Sequence, residues 1–211
     1  MEIVVRHTAA YAVARLALGP GERARVAPGT VAATSWGTAV EHRAPGALAR
    51  VLGADPLPQS AVTAPPAGGW VDVAPGLPGD LHVVELDGSA GWTVGRGSWL
   101  AAADGVRLHP SGGDARLRAD GTGALLLACY GALDRLVLAD GEFATVDAAH
   151  VVAHRDDVRT RSRAVDVGAW QPAGTGDGLV LDVAGPGTVL TQTRSPHGLA
   201  SWLAAHLPGA T

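Results

Sequence analysis

One stretch of this chain repeats itself, without a gap, 120 residues further on. Residues 16–33, LALGPGERARVAPGTVAA, align with residues 136–153, LVLADGEFATVDAAHVVA, and eight of the 18 aligned positions are identical. Repetition on this scale indicates that one supersecondary unit is used more than once, which constrains the fold before any motif is considered. The identical pairs are Leu16/Leu136, Leu18/Leu138, Gly21/Gly141, Glu22/Glu142, Ala24/Ala144, Val26/Val146, Val31/Val151 and Ala33/Ala153.

A looser third copy lies between these two, in residues 84–108, VELDGSAGWTVGRGSWLAAADGVRL. Five of its apolar residues fall 52 positions before their counterparts in the last copy, namely Leu86, Val94, Trp99, Ala101 and Val106. The chain is therefore predicted to be a single domain, 1–211, of three units at about residues 1–75, 76–132 and 133–194.

Each unit alternates apolar and polar residues with a period of two, as at Leu16 and Leu18 and again at Leu136 and Leu138. This alternation is typical of short strands with one buried face, and turn sequences such as GPGE, LDGS and ADGE separate the runs. Long stretches of helical periodicity are nearly absent. The sequence therefore predicts an all-β fold of three tandem β-repeat units with antiparallel strands and tight turns.

Residues 45–78 depart from this pattern, because they contain seven of the 14 prolines. Proline cannot donate to a strand ladder, so this inter-unit segment is predicted to hold a short helix or turn, an edge strand and a loop.

A short helix is predicted at the other end, over residues 196–207. Ser195 is a typical N-cap and Pro196 suits the first turn. The apolar side chains of this helix share one face, which is expected to pack on the sheet of the same chain. They are Leu199, Trp202, Leu203 and Leu207.

Composition excludes several classes of protein. Glycine and proline together make up about a fifth of the chain, below the level typical of low-complexity disorder. The net charge is −4 and all 16 basic residues are arginine, so nothing indicates a general polyanion or nucleic-acid binder. Glu2, Arg6 and Arg15 interrupt any signal peptide, and no apolar run approaches the ~20 residues of a membrane span. A cytoplasmic protein is expected, with Cys129 as a buried structural residue.

No catalytic or metal template fits the sequence. His150 and His154 would share a zinc ion on a helix, but the repeat places them in a β pattern, where they lie about 13 Å apart. Ser195 and His197 invite a dyad, although a helix start explains both residue types. Phosphate-loop and dinucleotide signatures are missing. The sequence therefore predicts no cofactor, no metal and no enzyme activity.

One charged pattern remains, because Arg159, Arg161 and Arg163 would lie on one face of a strand. Guanidinium groups suit phosphate or carboxylate recognition. The alternative is a solvated face paired with acidic residues of a neighbouring strand, and the sequence favours this alternative.

Three segments resemble the family named for Altered Inheritance of Mitochondria protein 24. These are residues 76–108 with GLPGDLHVVELDG and GRGSWL, residues 125–142 with LLLACYG, and residues 178–196 ending in QTRSP. The resemblance runs from about residue 10 to 208. The motif positions carried over are Pro78, Gly79, Asp80, Gly97, Gly131, Gln192, Thr193, Arg194 and Ser195.

The resemblance implies a fold similar to the tryptophan RNA-binding attenuator protein, in which each unit is a short double-stranded β-helix. It also implies a tendency to trimerise into a ring, and in mitochondrial relatives a role in organising inner-membrane complexes rather than catalysis. Residues 45–66 depart from the family pattern, since they carry Pro56, Pro58, Pro65 and Pro66 and no phenylalanine. A membrane contact through that region is therefore not carried over.

Three functional hypotheses follow, in order of preference. The first is a non-enzymatic β scaffold that self-associates and holds an unknown protein partner, with peripheral membrane contact possible. The second is a module that binds a small ligand, an anion or RNA through the arginine row. The third is an enzyme.

Overall fold

The structure is a computed structural model that describes residues 1–43, 57–111, 116–164 and 178–207. This part of the chain folds into 18 strands and one α-helix, which confirms the prediction of an all-β protein with one short C-terminal helix. The strands are β1 (Glu2–Arg6), β2 (Val13–Leu18), β3 (Arg23–Val26), β4 (Val31–Thr34), β5 (Ala39–Arg43), β6 (Gln59–Thr63), β7 (Gly69–Val73), β8 (Leu81–Asp87), β9 (Trp92–Gly95), β10 (Trp99–Ala103), β11 (Val106–Pro110), β12 (Arg116–Ala128), β13 (Leu133–Leu138), β14 (Phe143–Asp147), β15 (Val151–Arg155), β16 (Arg159–Ala164), β17 (Leu179–Ala184) and β18 (Gly187–Gln192), and the helix is α1 (Pro196–His206).

The first group of strands, β2 to β7, forms two antiparallel layers. In one layer β7 lies between β2 and β4, and in the other β6 lies between β3 and β5. A β-bulge between Val31 and Ala33 interrupts the β4–β7 pairing. Glu22 stabilises the turn after β2, because its Oε2 accepts a hydrogen bond from Gly19 N at 2.7 Å.

The third group of strands, β13 to β18, pairs in the same order. Here β18 lies between β13 and β15, and β17 lies between β14 and β16. A bulge falls between Val151 and Ala153, and Glu142 Oε2 accepts from Ala139 N at 2.8 Å. The order of strand pairing, the bulge and the turn therefore match those of the first group, and the bulge and the turn lie at the sequence offset of 120.

In the second group, β8 to β12, one long strand takes part in both layers. The first half of β12 pairs with β9 and β11, and its second half pairs with β8 and β10. The strand turns between layers at Gly121, which has a φ of +105°. A side chain there would overlap the carbonyl oxygen of Gly105, so this change of direction requires glycine.

Two pairings join the groups through an 11-stranded sheet, while β1–β2–β7–β4 and β14–β17–β16 form separate sheets. Strand β3 pairs with β10, and β9 pairs with β15. The apolar positions of the alternating strands fill three clusters, because every second side chain of a strand points to the same side. Fully buried members include Leu16, Val26 and Leu100 in the first cluster, Leu117, Leu125 and Leu190 in the second, and Leu181 and Val189 in the third.

The proline-rich segment differs from its prediction. Within residues 45–78 the structure contains two strands, β6 and β7, and each lies between two partners rather than at an edge. The described prolines all lie outside these strands, so no ladder donor is lost. The predicted helix or turn at the start of the segment lies outside the described residues.

Helix α1 begins as predicted, with the Ser195 side chain accepting a hydrogen bond from Gly198 N at 3.2 Å. Its expected packing on the sheet was wrong in extent, because no residue of the helix is buried. Leu199 and Leu203 are half-buried, whereas Trp202 and Leu207 are more than half exposed.

Candidate functional site

Several of the family-motif residues meet where the chain crosses itself between the second and third groups of strands. Gly79 and Gly131 form a parallel bridge. Asp80 N donates to Gly131 O at 2.9 Å, Gly131 N donates to Pro78 O at 3.0 Å, and Cys129 N donates to Asp80 O at 3.1 Å. We call this crossing the glycine junction.

The QTRS segment is tied to the glycine junction by side-chain hydrogen bonds. Tyr130 N donates to Gln192 Oε1 at 2.8 Å, and Gln192 Nε2 donates to Ala149 O at 3.0 Å. Ala132 N donates to Thr193 Oγ1 at 2.9 Å. The side chains of Gln192 and Thr193 therefore fasten the end of β18 to the start of the third group.

Arg194 and Ser195 complete the segment. Arg194 N donates to Tyr130 O at 3.2 Å, and its guanidinium donates to the neighbouring Thr193 O at 3.0 Å. Ser195 caps α1. The structure thus assigns a local structural contact to each of these motif residues.

A cavity of about 410 Å³ lies beside the glycine junction. Its walls come from the turn after β9, from the end of β12 and from the first turn of α1. The motif residues Gly97, Gln192 and Ser195 are among the residues that line it. Its size is within the range of small-ligand sites, so it is the candidate functional site of this chain.

Cys129 lines this cavity but is not activated as a nucleophile. Burial raises the pKa of its thiol, and no cationic group is among the causes of that shift. The thiol donates long hydrogen bonds of 3.4 Å to Asp80 O and Gly131 O. Since the reactive species is the thiolate, this environment favours the inert structural role that the sequence predicted.

The histidines considered as metal ligands have separate environments. His150 lies in a short 3-10 turn before β15, and its Nδ1 donates to Gln192 O at 2.7 Å. His154 lies within β15 and is 6% exposed, and burial lowers its pKa. Among the described residues no group of three or more His, Cys, Asp or Glu side chains is placed to hold a metal ion.

The arginine row lies along β16, at the exposed edge of the β14–β17–β16 layer. Arg163 donates two hydrogen bonds to Asp182, at 2.7 and 3.1 Å, which is the paired arrangement favoured by the sequence. Arg161 lies directly opposite Asp182 in the strand register. Arg159 makes one long contact, of 3.5 Å, with Gly185 O. One carboxylate therefore offsets part of the positive charge of this row.

Two exposed aromatic side chains were missed by the sequence reasoning. Trp36 is 99% exposed in the turn after β4, and Phe143 is 74% exposed at the start of β14. The chain has only one phenylalanine and six tryptophans. An aromatic residue in a turn between polar neighbours, as in TSWGT, is the signal that could have identified the first of them.

One family model matches nearly the whole chain. A family model described as mitochondrial biogenesis AIM24 matches residues 3–194. An uncharacterized protein of Streptococcus pyogenes serotype M6 is 28% identical over 153 residues, which cover 66% of this chain. The matched region spans 60% of that relative's length.

A crystal structure of protein SPYM3_0169 from Streptococcus pyogenes has the same fold. Its TM-score is 0.83 at 20% sequence identity, and the match covers 98% of this chain and 99% of the other. At this identity the likeness establishes the fold alone.

No helix within the described ranges is long and apolar enough to cross a membrane.

Proposed function

Because the chain belongs to the mitochondrial biogenesis AIM24 family, we propose that it is a non-enzymatic β scaffold that self-associates through the edges of strands β4 and β14. The observation that carries the proposal is the strand pairing between groups. The same kind of pairing joins the first group to the second and the second group to the third. Within the described ranges, one strand of each type, β14 and β4, is left with an unpaired edge.

The proposal treats the three groups of strands as three related units of the attenuator-protein-like kind. It is supported by their common order of pairing and by the bulge at equivalent positions, between Trp99 and Ala101 in the second group. In this alignment β3, β9 and β14 correspond to one another, as do β4, β10 and β15.

Neighbouring units are joined in the same way at both junctions. A strand equivalent to β3 pairs with the strand equivalent to β4 in the next unit, as in β3–β10 and β9–β15. Among the described residues, β14 pairs only with β17 and β4 pairs only with β7. Each copy of the chain therefore carries one edge of each kind, and a second copy can supply the missing partner.

The observed registers define the expected contact between copies. Ala101 faces Val26, and Ala153 faces Val94. At the equivalent positions, Ala33 of one copy would face Val146 of another. The four residues of the observed contacts are completely buried, whereas Ala33 is exposed and Val146 is half-buried. Pairing between copies would bury these two residues as their counterparts are buried.

Backbone N–H groups at the two edges also point outward, as pairing with a second copy requires. Ser35 N donates to Trp70 O, so the alternation of an antiparallel ladder directs the N–H of Thr34 away from β7. Gly185 N donates to Glu142 O, which by the same alternation directs the N–H of Thr145 away from β17. Thr34 and Thr145 are opposite each other in the expected register, and each would donate to the other strand.

Two of the exposed aromatic residues, Trp36 and Phe143, are opposite each other in this register. Asp156 N donates to Gly91 O at 3.0 Å across the junction of the second and third units. The equivalent positions across two copies are Trp36 and Phe143. Exposed aromatic side chains are typical anchors of protein interfaces, so their coincidence at one contact supports the proposal.

Because the two edges differ, the contact is head-to-tail. Such contacts close into a ring when the rotation between copies permits it and otherwise extend into a filament. The family resemblance favours a ring of three copies. Closing the ring would also cover the β4 and β14 edges, and uncovered strand edges promote aggregation.

Mass measurement by light scattering on the purified chain tests the proposal. The wild type is expected to be an oligomer, and Trp36→Glu is expected to shift it towards monomer because a buried carboxylate would face Phe143. Trp202→Glu is the matched control, since Trp202 is also exposed but lies on α1, and it is expected to leave the mass unchanged. A wild type that is monomeric at high concentration would contradict the proposal.

A second variant tests the same edge through the backbone. Thr34→Pro removes the N–H directed away from β7, and proline is tolerated at a strand edge that faces solvent. The variant is expected to fold, with an unchanged circular dichroism spectrum, and to lose the oligomer. Retention of the oligomer by both variants would exclude the β4 edge as the interface.

A further inference from the structure

The cavity beside the glycine junction contains hydrogen-bond donors that have no partner in the described part of the chain. Ser98 lines the cavity and is 9% exposed, and its hydroxyl makes no hydrogen bond to a described residue. The rest of the residue is buried, so its hydroxyl meets solvent only in the cavity and is not itself a buried unsatisfied group. A bound molecule can replace water as the hydrogen-bond partner of this hydroxyl.

Two backbone donors accompany this hydroxyl. His197 is in the first turn of α1, where Gly198 N is capped by Ser195 but the N–H of His197 has no acceptor among the described residues. The N–H of Gly97 is likewise without a described acceptor, and a side chain at Gly97 would meet nothing within 4 Å. The backbone of Gly97 thus lies beside open space.

The electrostatics of the lining favour a negative charge. The 11-residue helix α1 presents its N-terminus to the cavity, and helix N-termini attract anions. No Asp or Glu side chain among the described residues lines this space. Within the described lining, no carboxylate therefore opposes an anion at the N-terminus of α1.

The remaining walls are apolar and include Leu77, Ala128 and Pro196. A volume of about 410 Å³ exceeds that needed for an inorganic ion, so a ligand with an apolar body would fill it better. We propose that this cavity binds a small organic oxyanion, a carboxylate or a phosphate monoester, with the charged group at Ser98, Gly97 and the first turn of α1. The site is separate from the β4 and β14 edges and does not depend on self-association.

Binding can be tested by calorimetry with benzoate and phenyl phosphate as probes, inorganic phosphate as the ion without an apolar body, and benzamide as the neutral counterpart of benzoate. Saturable binding of benzoate or phenyl phosphate is expected, with benzamide and inorganic phosphate weaker. The stronger of the two organic probes identifies the preferred oxyanion. Absence of saturable binding of both at up to about 10 mM, a concentration at which even millimolar affinity is measurable, would overturn the proposal.

Variants locate the site. Ser98→Ala removes only an unpartnered hydroxyl, so the variant is expected to fold and to bind the organic probe about tenfold more weakly, as a lost hydrogen bond to a charged group predicts. Ser201→Ala, on α1 but outside the cavity lining, is the matched control and is expected to bind like the wild type. Equal affinity of Ser98→Ala and the wild type would overturn the assignment of the oxyanion to this cavity. The urea midpoint of each variant shows that both are folded.

Discussion

Replacing Gly79 by alanine is expected to lower the free energy of unfolding by about 3 kcal/mol or more. A Cβ at this position would overlap the carbonyl oxygen of Cys129, which belongs to the backbone and cannot rotate away. The hydrogen bonds of the glycine junction hold Cys129 and Gly131 against residues 78–80, so relief of the overlap would break them. Urea denaturation followed by tryptophan fluorescence measures the effect.

Gly76→Ala is the matched control for this substitution. It lies three residues earlier in the same segment, and a Cβ there would meet nothing within 4 Å. We expect its free energy of unfolding to stay close to that of the wild type. Equal stability of Gly79→Ala and Gly76→Ala would show that the two backbone segments of the junction are free to separate.

Replacing Asp72 by asparagine is expected to cost about 2 kcal/mol of stability at neutral pH. Asp72 is 8% exposed and accepts two hydrogen bonds of 2.8 Å from Arg15 and one of 2.9 Å from Arg6. Arg15 also lies over the ring of Trp70, 3.8 Å from its centroid. An asparagine has one acceptor oxygen and would direct its amide donors at a guanidinium, so two arginines would lose partners.

The same substitution is expected to change the dependence of stability on pH. Hydrogen bonds from Arg15, and secondarily from Arg6, hold the pKa of Asp72 below its usual range. The carboxylate therefore stabilises the folded protein above the unfolded-state pKa of about 4, and that stability is lost as the pH falls through the folded-state pKa. The stability difference between wild type and Asp72→Asn should shrink as the pH falls below about 4, as measured by urea midpoints.

Asp182→Asn provides the comparison for an exposed carboxylate. Asp182 also accepts two hydrogen bonds from one arginine, Arg163, but both side chains are partly solvated. Water replaces such contacts readily, so little change in stability is expected. If Asp182→Asn lowered stability as much as Asp72→Asn, burial would not be the reason that Asp72 stabilises the fold.

Much of the local structure could be predicted from the sequence, because strand alternation and turn residues act over short distances. The strands at Leu16–Leu18 and Leu136–Leu138 and the Ser195 helix cap needed no knowledge of distant residues. The family-motif positions could also be identified from the sequence. The structural role of these positions could not be predicted, because Gly79, Gly131 and Gln192 meet only when segments more than 50 residues apart cross.

Two predictions were wrong because contacts between distant parts of the chain decided the outcome. Residues 59–63 and 69–73 form interior strands because the prolines near them fall in the connecting turns. The apolar stripe of α1 is largely exposed, since only Leu199 and Leu203 are half-buried. Neither outcome follows from composition or periodicity.

The sequence by itself determined that the chain is an all-β protein built on a recurring pattern of strands, since alternation and turn chemistry are local properties. Only the tertiary structure decided which strands lie side by side, because hydrogen bonds between strands join residues with no fixed spacing along the chain. It thereby decided that, within the described ranges, β4 and β14 each pair on one side only. It also placed Ser98 beside the start of α1, in the wall of the same cavity.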